Sequence, residues 1–342
     1  MAERVAIIGA GVSGLTCGVL FAEHGYRTAI FAKDVGQQTT SGAAAAVWFP
    51  YDAEPLEKVI PWALQTFDAL VDLAPESGVS MIELRQFSRN KEIQIPDWAI
   101  PLGAQPVILS SPSVIPSARR AVAQRRREVE KSLTVNPVVF KAGFAITVPL
   151  MDTTIYLDYL VNRFRKAAGA INSNVRLGKL EDVEREFDLV INCAGIGARS
   201  LVHDADLEPH RGQVAIVPKI DNLSSAIVCD DAPLMYAIPR TNDCVFGGTN
   251  ELSDNLGVDP TSTSRIVAEC SRVLNISQPR VLTERVGLRP FRKSGVRLEA
   301  EKLRDGRIII HNYGHGGSGF TLSWGCAREV LDFALTAKRN RA

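Results

Sequence analysis

The apolar positions of this chain change their period along its length, and the changes mark out elements. Residues 4–8 (RVAII) form a short, β-branched run that predicts a buried strand. Gly9, Gly11 and Gly14 follow at once, and a helical pattern then runs over 15–24 until Gly25 closes it. A second run, 28–32 (TAIFA), predicts another strand. Strand, glycine turn, helix and strand within about 30 residues open a parallel α/β sheet. Later, residues 156–168 read as a helix, 174–180 as a short strand, and 188–195 (DLVINCAG) as a buried parallel strand entering a glycine turn. Residues 213–218, 234–239, 244–248 and 281–288 have the composition of strands in an antiparallel sheet. Finally 307–311 (RIIIH) predicts a strand, 312–321 a glycine-rich turn and 322–337 a closing helix. The expected class is α/β, with a nucleotide-binding domain that is interrupted by the β-rich part and resumed at the end.

Composition narrows the picture. A length of 342 residues suits one large domain or two intimately joined ones. The formal charge of +1 gives no reason to expect nucleic acid or an anionic membrane as a general partner, so anion selectivity must come from a local site. The six cysteines carry no CxxC spacing and read as reduced, buried small hydrophobes; the five histidines carry no HExxH, so no metal site is expected. The apolar run 5–20 contains four glycines and lacks a basic leader, unlike a signal peptide. No stretch of about 18 uninterrupted apolar residues predicts a membrane span. The last residues, 338–342, are not a peroxisomal tripeptide, and cytoplasm is the default expectation.

The candidate chemistry begins at the first turn. Gly9 permits a tight bend, Gly11 lets a pyrophosphate approach the backbone, and Gly14 lets helix pack on strand; Ala10, Val12 and Ser13 complete the loop. The helix start offers free N–H groups and a positive dipole end to phosphate. Where an acidic residue normally holds the ribose, Lys33 stands, with Asp34 one place later. Lys33 also raises the alternative of a 2′-phosphate and hence NADP. Thr39, Thr40 and Ser41 add hydroxyl donors before the small-residue run 42–47, which contains Ala46 and Val47 and suits either a flat ring system or a packed helix start. The arginine-rich stretch 117–133 is balanced by Glu128 and Glu130 and reads as a solvated helix face. The second glycine-rich junction places more backbone N–H groups at a helix start, as a long dinucleotide anchored at both ends requires.

Taken together, the motifs at 9–14, 45–51 (AAVWFPY), 188–195, 211–213, 236–239, 247–249, 286–290 (VGLRP) and 311–319 (HNYGHGGSG) resemble the D-amino-acid oxidase and D-aspartate oxidase family over nearly the full length. The resemblance implies non-covalent FAD in a Rossmann-like domain drawn from 1–52, 150–200 and 290–342. It implies an antiparallel-sheet substrate domain from 53–149 and 201–289. Arg289 corresponds to the arginine that holds the substrate carboxylate, Tyr236 to the tyrosine that supports it, and the Gly317 carbonyl to the acceptor of the substrate amine. Gly316, Gly317, Gly319, Phe320 and Thr321 would hold the flavin pyrimidine edge, and Leu180 matches a backbone contact near the adenine.

Three positions depart from the animal enzymes. The stretch 229–235 is short and offers Ala232 where a lid tyrosine is usual; Phe49 replaces a polar residue at the substrate site; Ser318 replaces a tyrosine. Together they predict an open entrance without a lid. The implied reaction transfers a hydride from Cα of a small D-amino acid to flavin N5, with O2 as acceptor, giving an imino acid and H2O2. Arg289 suits the orienting task because its planar fork matches a carboxylate and stays charged. His311 and His315 are expected as scaffold hydrogen-bonders. Arg240 is a candidate second cation for an acidic side chain, or a solvated strand-end arginine. The alternatives are a D-aspartate oxidase type, a glycine- or sarcosine-type oxidase or dehydrogenase of the same fold, and a flavin module without catalysis. A homodimer stays open.

Overall fold

The computed structural model describes residues 3–73, 75–90, 92–107 and 139–339, so the arginine-rich stretch 117–133 lies outside the described residues. In chain order the strands are β1 (Arg4–Ala10), β2 (Arg27–Val35), β3 (Val79–Ser88), β4 (Gln105–Pro106), β5 (Ala142–Met151), β6 (Ala170–Asn172), β7 (Leu189–Asn192) and β8 (Leu207–Pro218). They continue as β9 (Ser225–Cys229), β10 (Met235–Pro239), β11 (Asp243–Gly247), β12 (Glu251–Leu252), β13 (Thr283–Arg292), β14 (Arg297–Lys302) and β15 (Ile308–Tyr313). The helices are α1 (Val12–Glu23), α2 (Leu56–Val71), α3 (Thr153–Lys166), α4 (Ala198–Leu201), α5 (Pro260–Leu274) and α6 (Gly319–Arg339).

The first sheet has the order β14-β15-β7-β1-β2-β6. It is parallel except for β14, which pairs antiparallel with β15. Both faces are covered, which explains why its strands read as unbroken apolar runs rather than alternating ones. Val5, Ile7, Leu189, Ile191 and Ile310 pack into the large core with α1 and α6. Their neighbours Ala6, Ile8, Val190 and Ile309 pack on the opposite face against Leu180, Val183 and Phe187. Gly14 is the point where α1 meets β1: a Cβ there would lie 1.9 Å from the Gly9 carbonyl oxygen. Gly9 itself turns at φ 103°, a conformation other residues rarely take.

The second sheet runs β12-β8-β11-β10-β9-β3-β5-β4, with β13 also pairing β8. It is antiparallel apart from the β3–β9 pair. One face takes the apolar side of α5: Ile266, Val267, Cys270 and Val273 meet Ala215, Ala237 and Phe246. The alternate residues Val214, Ile216, Ile238 and Val245 belong to the same core as the first sheet. The molecule thus has the expected α/β class, a Rossmann-like sheet joined to a largely antiparallel one. Among the described residues no helix is long and apolar enough to cross a membrane.

One expected element is displaced. The strand foreseen at 174–180 lies earlier, at Ala170–Asn172, because Asn174 turns into the left-handed region at φ 60° and ends it. The following backbone bonds back to β2, Asn174 N–H to the Lys33 carbonyl at 3.2 Å and Val175 N–H to that of Ala32 at 3.0 Å.

Candidate active site

Strand β13 divides two recesses by its alternation. Leu288 and Pro290 line a long groove, whereas Arg289 between them lines a smaller pocket.

The groove, about 450 Å³, begins at the first glycine loop (Gly9, Ala10, Gly11, Val12, Ser13) and includes Lys33, Asp34, Thr39, Thr40, Ser41 and Gly319. Helix α1 opens on Gly11 with no side-chain cap of its own and no acidic residue in its first turn. Its positive end therefore stays available to an anion. The Ser41 hydroxyl accepts a hydrogen bond from Val12 N–H at 3.0 Å, drawing the 39–41 segment over the loop. Lys33 and Asp34 pair at 3.1 Å, so the lysine that stands in the usual acidic position is half neutralised by its neighbour. His315 is buried and bonds Asn312 Oδ1 at 2.9 Å; burial pushes its pKa down to about 4, leaving a neutral imidazole. His311 is pushed down by burial as well, and its ring lies between Asn192 and Glu301. Both histidines are held as scaffold.

The pocket, about 120 Å³, is walled by Ala44, Ala45, Ala46, Val47, Phe49 and Tyr51 on one side. Val228, Asp230, Leu234, Tyr236 and Ile238 come from β9, β10 and their connection, Gly317 from the turn before α6, and Phe320 and Thr321 from its first turn. Two glycines, Gly212 inside β8 and Gly247 at the end of β11, make room for the polar side chains. A Cβ on Gly212 would lie 2.5 Å from Arg289 Nη2, and one on Gly247 would lie 2.0 Å from Tyr236 Cζ. Arg289 Nη1 donates to the Thr249 carbonyl at 3.1 Å and to Asn250 Oδ1 at 3.3 Å. The Asn250 amide in turn donates to the Tyr51 hydroxyl at 3.2 Å. No carboxylate among the described residues forms an ion pair with Arg289. Burial raises the Tyr236 pKa, with Arg289 opposing it, and raises that of Tyr51 to about 12. Both phenols therefore keep their protons at neutral pH and can donate them.

The departures found in the sequence acquire physical roles. Ser318 Oγ accepts from Tyr51 N–H at 2.7 Å and donates to the Tyr51 carbonyl at 2.6 Å, while Thr321 Oγ1 bonds both backbone groups of Phe49. These bonds lock residues 49–51 to α6. The connection 230–234 is short, as expected, and brings no aromatic residue to the pocket.

Gly14, Gly316 and Leu180 do not line the groove or the pocket. Gly14 serves helix packing, and Gly316 lies against the Asp52 carbonyl, where a Cβ would come within 1.7 Å. The Leu180 side chain is part of the core on the far face of the first sheet, and Val175, Arg176 and Leu177 line the groove on that side. Arg240 is no second cation for the pocket. Its side chain is 1% exposed, paired with Asp243 at 2.7 and 2.8 Å and bonded to Thr153 at 2.9 Å. The sequence alone does not mark Tyr51, Asp230 and Asn250 as site residues. Gly212 and Gly247 held a usable signal, since glycine inside a strand marks a close approach.

Comparison with known proteins gives this geometry a context. A family model described as FAD dependent oxidoreductase (DAO) matches residues 4–333. The chain is 36% identical to a D-amino-acid oxidase of Rubrobacter xylanophilus, covering 98% of this chain and 96% of the relative. It is 35% identical to a D-amino-acid oxidase of Dictyostelium discoideum (96% and 90% covered) and 30% identical to a human D-aspartate oxidase (96% and 93%). Glycine oxidase from Geobacillus kaustophilus shares the fold, with a TM-score of 0.78 at 17% identity over 98% of this chain and 95% of that one. With a match over nearly its whole length and a groove and pocket divided by one strand, the chain belongs to the DAO family of FAD-dependent oxidoreductases.

Proposed function

We propose that this enzyme oxidatively deaminates D-amino acids with O2 as acceptor, releasing an imino acid, which hydrolyses to a 2-oxo acid and ammonia, and H2O2. The observation that carries this reading is Arg289: a guanidinium lining a small, mostly apolar pocket, with no carboxylate partner among the described residues and a protonated tyrosine beside it. A charge kept in such a place without a partner is costly, and a substrate carboxylate would relieve that cost. The fork of Arg289 and the Tyr236 hydroxyl would fix the carboxylate plane, and the Gly317 carbonyl would accept from the amine. Charge-assisted hydrogen bonds of this kind contribute about 1.5–3 kcal/mol each.

The groove fits FAD: an uncapped helix start without acidic neighbours suits a pyrophosphate, and the loop at Gly9–Ser13 meets Gly319 of α6 along one surface. FAD, when bound, supplies the two-electron acceptor for the hydride leaving Cα and returns the electron pair to oxygen. The chain's own groups orient and shield, and none is needed as a base if the amine arrives neutral. The six thiols, all buried and free, support a reducing compartment such as the cytoplasm.

The test is peroxide formation under air from D-alanine against L-alanine, paired with bleaching of the flavin band without oxygen. Bleaching by D-alanine alone supports the reading. No bleaching by any D-amino acid sinks it. Bleaching without peroxide would keep the substrate and replace oxygen by another acceptor.

A further inference from the structure

We propose that Asp230 makes this pocket selective for D-amino acids with a cationic side chain on an aliphatic stem; the inference rests on the D-amino-acid reading above. Strand alternation places the residue. Val228 of β9 is the register partner of Tyr236 of β10, and both line the pocket. Two residues beyond Val228, Asp230 continues the same row, as Leu234 and Ile238 continue the row of Tyr236. An acidic side chain thus stands in a row that is otherwise apolar or aromatic.

Its charge has no cation to answer it among the described residues. Asp230 Oδ2 accepts one hydrogen bond, from Gln86 Nε2 at 2.9 Å. The nearby cation Arg89 is committed elsewhere, to Glu269 at 2.7 Å and to the carbonyls of Asp231 and Pro233. Asp230 is open to solvent, yet enough protein surrounds it that its carboxyl titrates above the ordinary value, from burial first and then from Asp231. Arg289 is not among the charges that move it, whereas Tyr51 feels both Arg289 and Asp230. The pocket is therefore lined by two opposite charges, the half-buried Arg289 guanidinium and the exposed Asp230 carboxylate, which both act on the Tyr51 phenol, and by the apolar walls of Phe49, Val228 and Leu234.

A ligand that answers both charges carries an α-carboxylate, a short aliphatic stem and a terminal cation. Such a side chain buries its methylenes along an apolar wall and keeps its charged head in water. An acidic side chain meets repulsion instead, and the other cation proposed for it, Arg240, is engaged with Asp243.

The experiment compares the holoenzyme's kcat/KM for D-lysine, its uncharged analogue D-norleucine and D-glutamate, at low and at high salt. D-lysine should exceed D-norleucine by about fivefold at low salt, the range of an exposed ion pair, and the ratio should shrink as salt screens it. D-glutamate should be the poorest. Asp230→Asn should bring the D-lysine to D-norleucine ratio towards one, and Asp230→Lys should raise D-glutamate relative to D-lysine. If no D-amino acid bleaches the flavin, the underlying oxidase reading falls. If D-norleucine reacts as well as D-lysine in the unaltered enzyme, or the preference survives in Asp230→Asn, the oxidase stands and this inference alone is overturned. The salt series needs no variant, so a variant that misfolds does not remove the test.

Discussion

The groove and the pocket are built from different materials, although one strand divides them. The groove presents backbone: a glycine loop, two helix starts and the small residues drawn over them. The pocket presents side chains that meet from distant parts of the sequence, Tyr51, Asp230, Tyr236 and Arg289. A backbone site recognises phosphate, which is the same in every dinucleotide, so its geometry can be uniform. A side-chain site can change its specificity by one substitution without moving the fold. The two should therefore fail independently.

The largest expected effect separates them at the pocket. Arg289→Ala should retain FAD yet lose about 2–5 kcal/mol of transition-state binding, or roughly thirty- to several-thousandfold in kcat/KM. Added FAD should not restore it. Ordinary turnover in this variant would remove Arg289 from the mechanism and with it the basis of the functional reading.

Next in size is a stability effect at the groove wall. His315 has an ordinary pKa of 6.5 and about 4 in the folded protein, through burial. Its folded form resists protonation, so this contribution is present above pH 6.5 and is lost as pH falls from there through 4. The gap corresponds to roughly 3 kcal/mol at most. Denaturation midpoints measured with saturating FAD at pH 7 and pH 4 should converge partly in His315→Gln. An identical pH slope in the two proteins would place the sensitivity elsewhere.

Gly14→Ala strikes the groove alone. The added Cβ meets the Gly9 carbonyl and must push α1 away from β1. Overpacking of this kind costs about 1–3 kcal/mol, against a helix-propensity gain of about 0.5–1. The Kd for FAD should rise, and excess FAD should recover turnover, the reverse of Arg289→Ala. If activity instead stays low at saturating FAD, the groove and pocket are coupled through α1 after all.

This difference in materials also explains what could be read from the sequence. The glycine spacing at 9–14 and the apolar runs of β1, β2, β7 and β15 announced the first sheet, because local sterics and two-sided burial dictate them. Strands β3 and β5 carried no comparable signal. β3 mixes polar and apolar residues, β5 is an apolar run broken by Gly143, Thr147 and Pro149, and the two are fixed by pairing with each other across a long separation. The strand expected at 174–180 moved because one asparagine took a left-handed turn, a choice that composition does not reveal. Arg289 and Tyr236 were reachable through family resemblance. Asp230 was not, since its place depends on β9 and β10 lying side by side. Arg240 stands at a strand end in the sequence, and only the fold brings Asp243 and Thr153 around it.

The smallest expected effect probes how the pocket holds its own arginine. Asn250 accepts from Arg289 Nη1 through its carbonyl oxygen and donates to Tyr51 through its amide, tying the two walls together. Arg289 keeps a second acceptor, the Thr249 carbonyl, so Asn250→Ala loosens the guanidinium without releasing it. One partly exposed hydrogen bond to a charged group should cost about 1 kcal/mol, close to fivefold. The loss should fall on KM, because an arginine that wanders between rotamers binds the carboxylate less well before any bond breaks. A fall in kcat at unchanged KM would mean that Asn250 acts on the reacting geometry itself, and that the Tyr51–Asn250–Arg289 chain helps set the position of Cα rather than only the affinity for its carboxylate.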